Sequence, residues 1–435
     1  MTHQLKDGSQ VLNVGMLARV EGEGGMHVEI KDKVVQSVKL NIFEPPRFYE
    51  AFLRGRTYTE PPDITARICG ICPVAYQSAA TEALESIIGA ETTPEIQTMR
   101  RLLYCGEWIE SHTLHIFMLH APDFLGFESV IEMAPDHGPV VEMALRLKKA
   151  GNDLMELVGG RAIHPVNVKV GGFYKFPTKA DMLALKPDLE RGLEDTFEAI
   201  KLVSTFDFPE MEQEYEYVAL YDPDRYAIER GTKIISSSGT EFPVSEFPEH
   251  IKEFHVEHSN ALHAKFDDKM YMVGPLARYT LNYDQLSDRC KAAAEEAGLS
   301  RTCRNQFKSI IVRAVELAYA FEEAIRIIDE WEDGVAPSVP IAPKAGEGMG
   351  ASEAPRGTIF HRYILDDEGI IQDAQIVPPT AQNQPSIEAD MKKVAQQWVD
   401  MDDHALTHRC EQAIRNYDPC ISCATHFLDL RVDRS

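Results

Sequence analysis

Two pairs of cysteines are the residues of this sequence whose type and spacing best suit chemistry. Cys69 and Cys72 form one C-x-x-C pair, and Cys420 and Cys423 form another near the C-terminal end of the sequence. Cysteine thiolates bind soft and borderline metals, and four of them make a common coordination set. Because most of the chain separates the two pairs, a metal bound by both would connect distant parts of a large fold.

Spacing alone leaves three kinds of site open: structural zinc, an iron–sulfur cluster and a catalytic metal centre. A fourth alternative, a redox dithiol of the thioredoxin kind, needs a strand before the pair and a helix after it. That context is missing around Cys69 and Cys72. The remaining cysteines are isolated in sequence, and we expect each to be a small apolar residue of the core. They are Cys105, Cys290, Cys303 and Cys410.

The residues around the two pairs distinguish between these alternatives. Residues 67–72 read R-I-C-G-I-C, and residues 418–426 read D-P-C-I-S-C-A-T-H. They resemble the two signatures of the large subunit of nickel–iron hydrogenases, R-x-C-G-x-C and D-P-C-x-x-C-x-x-H. Other segments extend the resemblance, in the same order, over essentially the whole chain. They are residues 19–22, 47–50, 159–161, 164–165, 354–357 and 379–383.

The resemblance implies that all four thiolates bind nickel. Cys69 and Cys420 would be terminal ligands, while Cys72 and Cys423 would bridge nickel to an iron that, in the family, also carries carbon monoxide and cyanide. A binuclear centre of this kind can split dihydrogen. The implied activity is the reversible oxidation of dihydrogen to protons and electrons. The alternatives are a non-enzymatic electron-transport subunit like the homologous subunit of respiratory complex I, which has lost the four thiolates, and a structural zinc protein.

The resemblance also assigns a route for the proton. Cys420 is one acceptor, and Glu21 is the next carrier in the family. A partly buried glutamate has a raised pKa and can transfer protons near neutral pH. Without the resemblance, we would expect Glu21 to form an ordinary salt bridge with Arg19.

Three residues match positions beside the metals. Arg356 corresponds to the family arginine above the centre, where a permanently charged guanidinium can donate hydrogen bonds to cyanide or to an oxyanion. Pro355, in the same segment, and Asp418 would also border the cofactor. Taken in isolation, Arg356 would more often be a surface charge, and Asp418 would be a turn or cap residue before Pro419.

A second cation site is implied near the C-terminal end. Glu50 and His426 match residues that hold magnesium or a similar hard cation, with a backbone carbonyl, that of Ile376, as a third ligand. Hard cations prefer oxygen donors and retained waters, so a histidine among oxygens is unusual for such a site.

His112 and His115 lie three residues apart on one face of a predicted helix. We expect them to be core histidines with hydrogen-bond partners rather than ligands.

Hydrophobic periodicity predicts a mainly α fold with small β-elements, which is the α+β large-subunit fold that the resemblance implies. Alternation predicts an N-terminal hairpin, Met26–Ile30 and Val34–Ile42, and a C-terminal hairpin, Ile359–Leu365 and Ile370–Val377. Apolar residues three and four apart predict helices near 79–89, 96–120, 137–158, 180–205, 284–298, 302–332 and 386–416. Glycine- and proline-rich breaks are expected at 159–177, 334–357 and 377–385.

No repeat or clean linker divides the chain. We therefore predict a single body over residues 1–435, with a β-rich part (1–60), a helical core (61–335) and a C-terminal metal-site part (336–435). Many family members lose a C-terminal tail after the last histidine. Residues 427–435 would be such a tail.

Composition excludes several classes of function. The formal charge of −25 disfavours binding to nucleic acid, because no cationic surface would replace the counterions of the phosphates. The polar segment Met1–Gln10 contains no apolar signal core, and no apolar run approaches the ~20 residues of a membrane helix. Eight cysteines are too few for a disulfide scaffold in a chain of 435 residues. We expect a cytoplasmic protein without a membrane span.

The electrons must leave through another polypeptide, because no cysteines remain for an iron–sulfur chain. By resemblance, the partner is a small subunit with iron–sulfur clusters. The segment 346–351 (G-E-G-M-G-A) mimics a dinucleotide fingerprint without its strand and helix, so NAD(P) or flavin would bind to further subunits.

Glu23 and Ser111 differ from the His and Asp of many relatives. Both differences favour the soluble, cofactor-coupled, bidirectional branch.

Overall fold

The computed structural model describes residues 2–4 and 10–426, and the predicted tail 427–435 lies outside them. Among the described residues, none of the helices is long and apolar enough to cross a membrane. The predicted class is confirmed: helices form most of the ordered structure, and small antiparallel sheets lie around them. The division of the chain into three parts stays a prediction.

The helices are of two kinds, short ones in the connections and long ones in the core. They are α1 (Tyr49–Leu53), α2 (Pro61–Thr65), α3 (Pro73–Ile88), α4 (Pro94–Thr113), α5 (Ala121–Leu125), α6 (Val130–Gly159), α7 (Lys179–Ser204), α8 (Phe247–His250), α9 (Pro275–Asn282), α10 (Asp288–Glu296), α11 (Ser309–Glu330), α12 (Pro379–Gln397) and α13 (Asp403–Arg415). A π-helical turn, Leu114–His120, continues α4.

The strands form antiparallel sheets. They are β1 (Thr2–Gln4), β2 (Gln10–Val14), β3 (Gly24–Lys31), β4 (Val34–Ile42), β5 (Val168–Lys169), β6 (Gly172–Phe173), β7 (Val218–Tyr221), β8 (Lys233–Ser236), β9 (Glu241–Phe242), β10 (Ile251–Val256), β11 (Ser259–Phe266), β12 (Gly346–Ala354), β13 (Gly357–Leu365) and β14 (Ile371–Val377). In chain order, β1–β4, β7–β9 and β12–β14 form three sheets, and β5–β6 and β10–β11 form hairpins.

The long helices form the core. α4 packs between α6 and α11, and α11 packs in turn on α7. Both α4 and α11 are buried on nearly all sides. Local signals set the helix ends: Thr93 and Pro94 begin α4, and Gly89, in the left-handed region with φ +69°, ends α3. These packed helices are the scaffold to which the two cysteine segments are attached.

Several predicted elements differ from the observed ones. The predicted break 377–385 instead contains the start of α12, because a proline at the first helical position costs no hydrogen bond. The predicted helix 386–416 is two helices, α12 and α13, separated near residue 400. The strands between residues 218 and 266 were missed inside the predicted helical core. Apart from β11 they are short, and the burial of β7 on both faces removes the alternation that marks a strand.

The glycine-rich segment 346–351 is strand β12, which lies against α3. A Cβ atom at Gly348 would lie 2.3 Å from the carbonyl oxygen of Ala83, and one at Gly350 would lie 2.5 Å from that of Ala79. The glycines therefore allow close contact between a strand and a helix backbone. This packing accounts for the resemblance of the segment to a dinucleotide fingerprint.

We expect Gly348→Ala to lower the free energy of unfolding by about 1–3 kcal/mol, because the added methyl group must displace α3 or β12. Gly138→Ala in α6 is the control, since no heavy atom lies within 4 Å of a Cβ at that position. Thermal unfolding measures both variants. Equal midpoints for Gly348→Ala and the wild type would show that the strand and helix are not in tight contact.

Candidate metal centre

The two cysteine pairs meet in the interior, as the sequence predicts. The Sγ atoms of Cys69 and Cys420 lie 3.2 Å apart, those of Cys72 and Cys423 lie 3.6 Å apart, and those of Cys420 and Cys423 lie 2.9 Å apart. All four sulfurs lie within 4.8 Å of one another, and all four residues are buried. Metal–sulfur bonds of about 2.3 Å place ligand sulfurs at separations of this size.

The local backbone explains how each pair presents its sulfurs. Cys72 is the residue before α3, and Pro73 occupies the first position of that helix. The buried carboxylate of Glu107 on α4 accepts hydrogen bonds from the Val74 and Ala75 amides at 2.6 and 3.2 Å. Cys423 lies in a 3₁₀ turn, Ser422–Thr425. The first pair thus lies in the turn that leads into the long helix α3, and the second pair lies at a short 3₁₀ turn.

The sulfurs need a cation to be ionised together. Burial raises the pKa of the Cys420 and Cys423 thiols, because a thiolate loses its hydration where water is excluded, and repulsion by a neighbouring thiolate raises it further. A bound metal reverses this preference, since a coordinating thiol loses its proton. The donor set therefore fits a thiophilic metal centre such as nickel with iron.

Arg47 connects the two cysteine segments, a role that the sequence did not reveal. Its Nη2 donates to the Ile68 carbonyl at 2.6 Å and to the Ser422 carbonyl at 2.5 Å. These carbonyls belong to the residues directly before Cys69 and Cys423. One guanidinium thus fixes the separation of the two pairs. The only sequence signal was that Arg47 lies in one of the matching segments.

Glu21 lies directly beside the sulfurs. Its Oε2 is 3.1 Å from the Sγ of Cys420 and accepts a hydrogen bond from the Ser422 amide at 3.1 Å. Burial and the nearby Cys69 sulfur raise the pKa of Glu21 above its ordinary value. The alternative, a salt bridge to Arg19, is wrong for this structure, because Arg19 pairs with Asp123 at 2.5 Å.

Arg356 and Asp418 form a buried pair next to the sulfurs. The Nε of Arg356 donates to the Asp418 carbonyl at 2.8 Å, and its Nη2 donates to Oδ1 at 3.1 Å. The buried Nη1 has no hydrogen-bond partner among the described residues. A free donor here fits a centre whose iron carries ligands that accept hydrogen bonds. The surface-charge alternative for Arg356 is wrong, since the side chain is only 2% exposed.

Arg278 holds the segment that carries Arg356. It donates through Nη2 to the Pro355 carbonyl at 2.9 Å and through Nη1 to the Ala354 carbonyl at 2.7 Å. Its own charge is neutralised by Glu316 at 2.8 Å and Glu353 at 3.0 Å. All three charged side chains are fully buried. Sequence reasoning missed this network because its members come from three distant segments.

The predicted cation ligands also lie together. The Nε2 of His426 is 2.8 Å from the Ile376 carbonyl oxygen and 3.9 Å from the Oε1 of Glu50, which accepts a hydrogen bond from the Ile376 amide at 2.8 Å. Burial raises the pKa of Glu50 to about 7 and lowers that of His426 to about 4. The neutral imidazole of His426, the Glu50 carboxyl and the Ile376 carbonyl oxygen can together bind a cation.

The other singled-out residues have ordinary roles. His112 and His115 are buried in the core, as expected. The Nε2 of His115 is 2.8 Å from the Arg415 carbonyl, whereas His112 lies 3.1 Å from Glu316 without the geometry of a hydrogen bond. Ser111 is buried and Glu23 is exposed. The isolated cysteines are buried, which raises the pKa of each thiol, and none belongs to the four-sulfur cluster. They are Cys105, Cys290, Cys303 and Cys410.

Comparison with known proteins identifies the class to which this fold and site belong. Residues 47–142 and 246–426 match the model of the nickel-dependent hydrogenase family, and the chain belongs to that family. It is the catalytic large subunit of a nickel–iron hydrogenase, an oxidoreductase that acts on dihydrogen. The match favours this interpretation over the complex I-like and structural zinc alternatives.

Individual relatives cover almost the whole chain. Sulfhydrogenase 1 subunit alpha of Pyrococcus furiosus is 36% identical over 427 residues, which are 96% of this chain and 98% of the relative. Sulfhydrogenase 2 subunit alpha of the same organism is 31% identical, over 97% of this chain and 100% of the relative. The crystal structure of an NAD⁺-reducing [NiFe]-hydrogenase in the H₂-reduced state superposes with a TM-score of 0.88. It is 25% identical, and the match covers 96% of this chain and 99% of that one.

We expect Arg47→Gln to reduce the nickel bound per chain and to lower stability by about 1–3 kcal/mol, because the Ile68 and Ser422 carbonyls lose their charged donor. Arg54→Gln is the matched control, since Arg54 forms only an exposed ion pair with Asp373. Elemental analysis and thermal unfolding test the prediction. Wild-type nickel content and stability in Arg47→Gln would show that the two segments hold their separation without this contact.

Proposed function

We propose that Cys69, Cys72, Cys420 and Cys423 hold a nickel–iron centre at which dihydrogen is reversibly oxidised. Cys69 and Cys420 would hold the nickel alone, and Cys72 and Cys423 would be shared between the nickel and the iron. The single observation that supports this most strongly is the convergence of four buried sulfurs, all within 4.8 Å of one another, beside the carboxylate of Glu21. When bound, the centre, with carbon monoxide and cyanide on its iron, supplies the heterolytic cleavage of dihydrogen.

The protein residues around the centre exclude water and stabilise polar ligands. The sulfurs lie in the hydrophobic core, so electrostatic interactions with the centre are only weakly screened. Arg356 stays protonated and directs its free Nη1 donor toward a ligand that accepts hydrogen bonds. Asp418 fixes the guanidinium plane through two contacts. Pro355 takes part only through its carbonyl, which Arg278 holds.

Glu21 receives the proton from the centre and passes it outward. The separation of 3.1 Å between Cys420 Sγ and Glu21 Oε2 permits direct transfer without a water molecule. Glu21 is half-buried, so it lies between the closed centre and the exterior. The Ser422 amide fixes the same oxygen, which keeps the carboxylate oriented toward the sulfur.

The group formed by Glu50, the Ile376 carbonyl and His426 binds magnesium or a similar hard cation. Two oxygen donors and one neutral imidazole are available, and retained waters would complete the coordination. A cation would keep the Glu50 carboxyl ionised despite its raised pKa. The site follows the last cysteine by only three residues, so it would stabilise the C-terminal segment that carries Cys420 and Cys423.

The electrons pass to a partner that bears iron–sulfur clusters. In the described residues, the four sulfurs of the centre form the only all-cysteine group, so this part of the chain holds no cysteine-bound relay. Two similar relatives are alpha subunits, and a structural relative is an NAD⁺-reducing enzyme. We therefore place this chain in the cofactor-coupled, bidirectional branch, in the cytoplasm. Flavin- and NAD(P)-binding or further iron–sulfur subunits would complete the complex, or ferredoxin would accept the electrons.

Cys420→Ser tests the centre. We expect dihydrogen turnover to be abolished while the partner complex still assembles, because a hydroxyl oxygen is a poor substitute for a soft thiolate ligand. Cys303→Ser is the matched control: Cys303 is also buried, but its Sγ only donates to the Asn305 carbonyl, which a hydroxyl can also contact. Full activity in Cys420→Ser would refute the assignment of the centre.

Glu21→Gln tests the proton route. The amide preserves the shape of the side chain but cannot carry the proton, so hydrogen–deuterium exchange with dihydrogen should slow by about 100-fold or more. Nickel content should stay near that of the wild type. Glu23→Gln, two residues away and exposed, should exchange at the wild-type rate. Unchanged exchange in Glu21→Gln would exclude this residue from the route.

A further inference from the structure

A second group of metal-ligating side chains lies outside the hydrogenase centre. His258, His263 and Glu388 bring their ligand atoms within 4.8 Å of one another. The Nε2 of His258 is 2.7 Å from the Oε1 of Glu388, and the Nε2 of His263 is 3.6 Å from its Oε2. None of the three residues lies in a segment that carried the family resemblance.

Three separate elements bring these side chains together. His258 lies in the turn between β10 and β11, His263 lies on β11, and Glu388 lies near the middle of α12. The Oε1 of Glu388 also accepts a hydrogen bond from the Leu40 amide of β4 at 2.9 Å. Ligating carboxylates are commonly held by such a second contact. The group therefore lies where the N-terminal sheet, a hairpin and α12 meet.

His263 is the least satisfied member of the group. Its side chain is 3% exposed, and neither ring nitrogen has a hydrogen-bond partner among the described residues. The contact of 3.6 Å with Glu388 is too long for a hydrogen bond. A buried polar nitrogen without a partner costs free energy that a bound ligand can recover. A ligand between His263 and Glu388 would remove this cost.

We propose that His258, His263 and Glu388 bind a divalent first-row transition metal ion, with zinc as the best match. Two imidazoles and one carboxylate are a donor set that suits zinc and related ions. Donors each about 2.0–2.1 Å from one ion lie roughly 3.3 Å apart in tetrahedral geometry. The observed separations of 2.7 and 3.6 Å lie on either side of this value.

The site is open to solvent on the His258 side. His258 lines a surface cleft of about 540 Å³, together with residues of β3, β4 and the end of β2. An ion can enter by this cleft, and a water molecule from it can occupy the remaining coordination position. His263 lies on the closed side. The ion would act as a clamp, because its ligands and the Leu40 contact join elements from both ends of the chain and its middle.

Zinc binding to the mature, nickel-loaded complex tests this proposal, which is independent of the proposed function. The complex is dialysed against a mild chelator, incubated with Zn²⁺ and desalted before elemental analysis. We expect one additional zinc per large subunit in the wild type and its loss in both Glu388→Gln and His263→Gln. In Glu388→Gln, the side-chain amide oxygen can still accept from the Leu40 amide, so this variant changes the charge with little change in packing.

His27→Gln is the matched control, because His27 lines the same cleft but lies outside the group. It should retain the additional zinc. Nickel content and thermal unfolding verify that each variant is folded. Three results would overturn the proposal: no additional zinc in the wild type, equal zinc in the wild type and both ligand variants, or loss in His27→Gln equal to that in Glu388→Gln.

Cobalt provides a second readout that separates this site from the cysteines. Co²⁺ bound by two imidazoles and a carboxylate shows visible d–d bands without a thiolate-to-cobalt charge-transfer band. We expect this spectrum in the wild type and its loss in His263→Gln. A thiolate charge-transfer band that persists in His263→Gln would place the additional metal on sulfur and overturn the assignment.

Discussion

The structure depends on one constraint: four thiolate sulfurs from distant parts of the chain must be held together where water is excluded. Cys69 and Cys72 precede the buried helix α3, and Cys420 and Cys423 lie close to the last described residues. Unsupported, the sulfurs would repel one another once ionised, and burial would favour the protonated thiols. The surrounding structure therefore has to fix the distance between the two segments and supply compensating positive charge.

Three arginines meet both needs. Arg47 hydrogen-bonds the backbone of each cysteine segment, so the geometry of the site is set by hydrogen bonds as well as by a metal. Arg356 places a permanent positive charge beside the sulfurs, and Arg278 holds the segment that carries it. Arg278 and Arg356 are fully buried, which is costly for a lone charge, and the nearby carboxylates and carbonyls offset much of that cost. Asp418 and Glu316 therefore stabilise the site, because they neutralise the buried arginines that surround it.

Much of the site could be predicted from local sequence because its ligands come in short, specific motifs. The two C-x-x-C pairs predicted the four sulfurs, which the structure brings together, and the family resemblance of three separate segments predicted Glu21, Arg356 and His426. The fold class also followed from periodicity, since long helices such as α7 have clear polar and apolar faces. Predictions were weaker where an element is short or buried all round. Strand β7 and the buried start of α12 were missed for this reason.

By itself, the sequence determined which residues are chemically able to form the centre, since a thiolate, a carboxyl or a guanidinium keeps its chemistry in any fold. Only the tertiary structure decided which groups meet. It paired Arg19 with Asp123 rather than with Glu21, placed Arg47 across both cysteine segments, and brought His258 and His263 to Glu388. These contacts join residues far apart in the chain. Their distances result from the packing of whole helices and sheets, which no local pattern records.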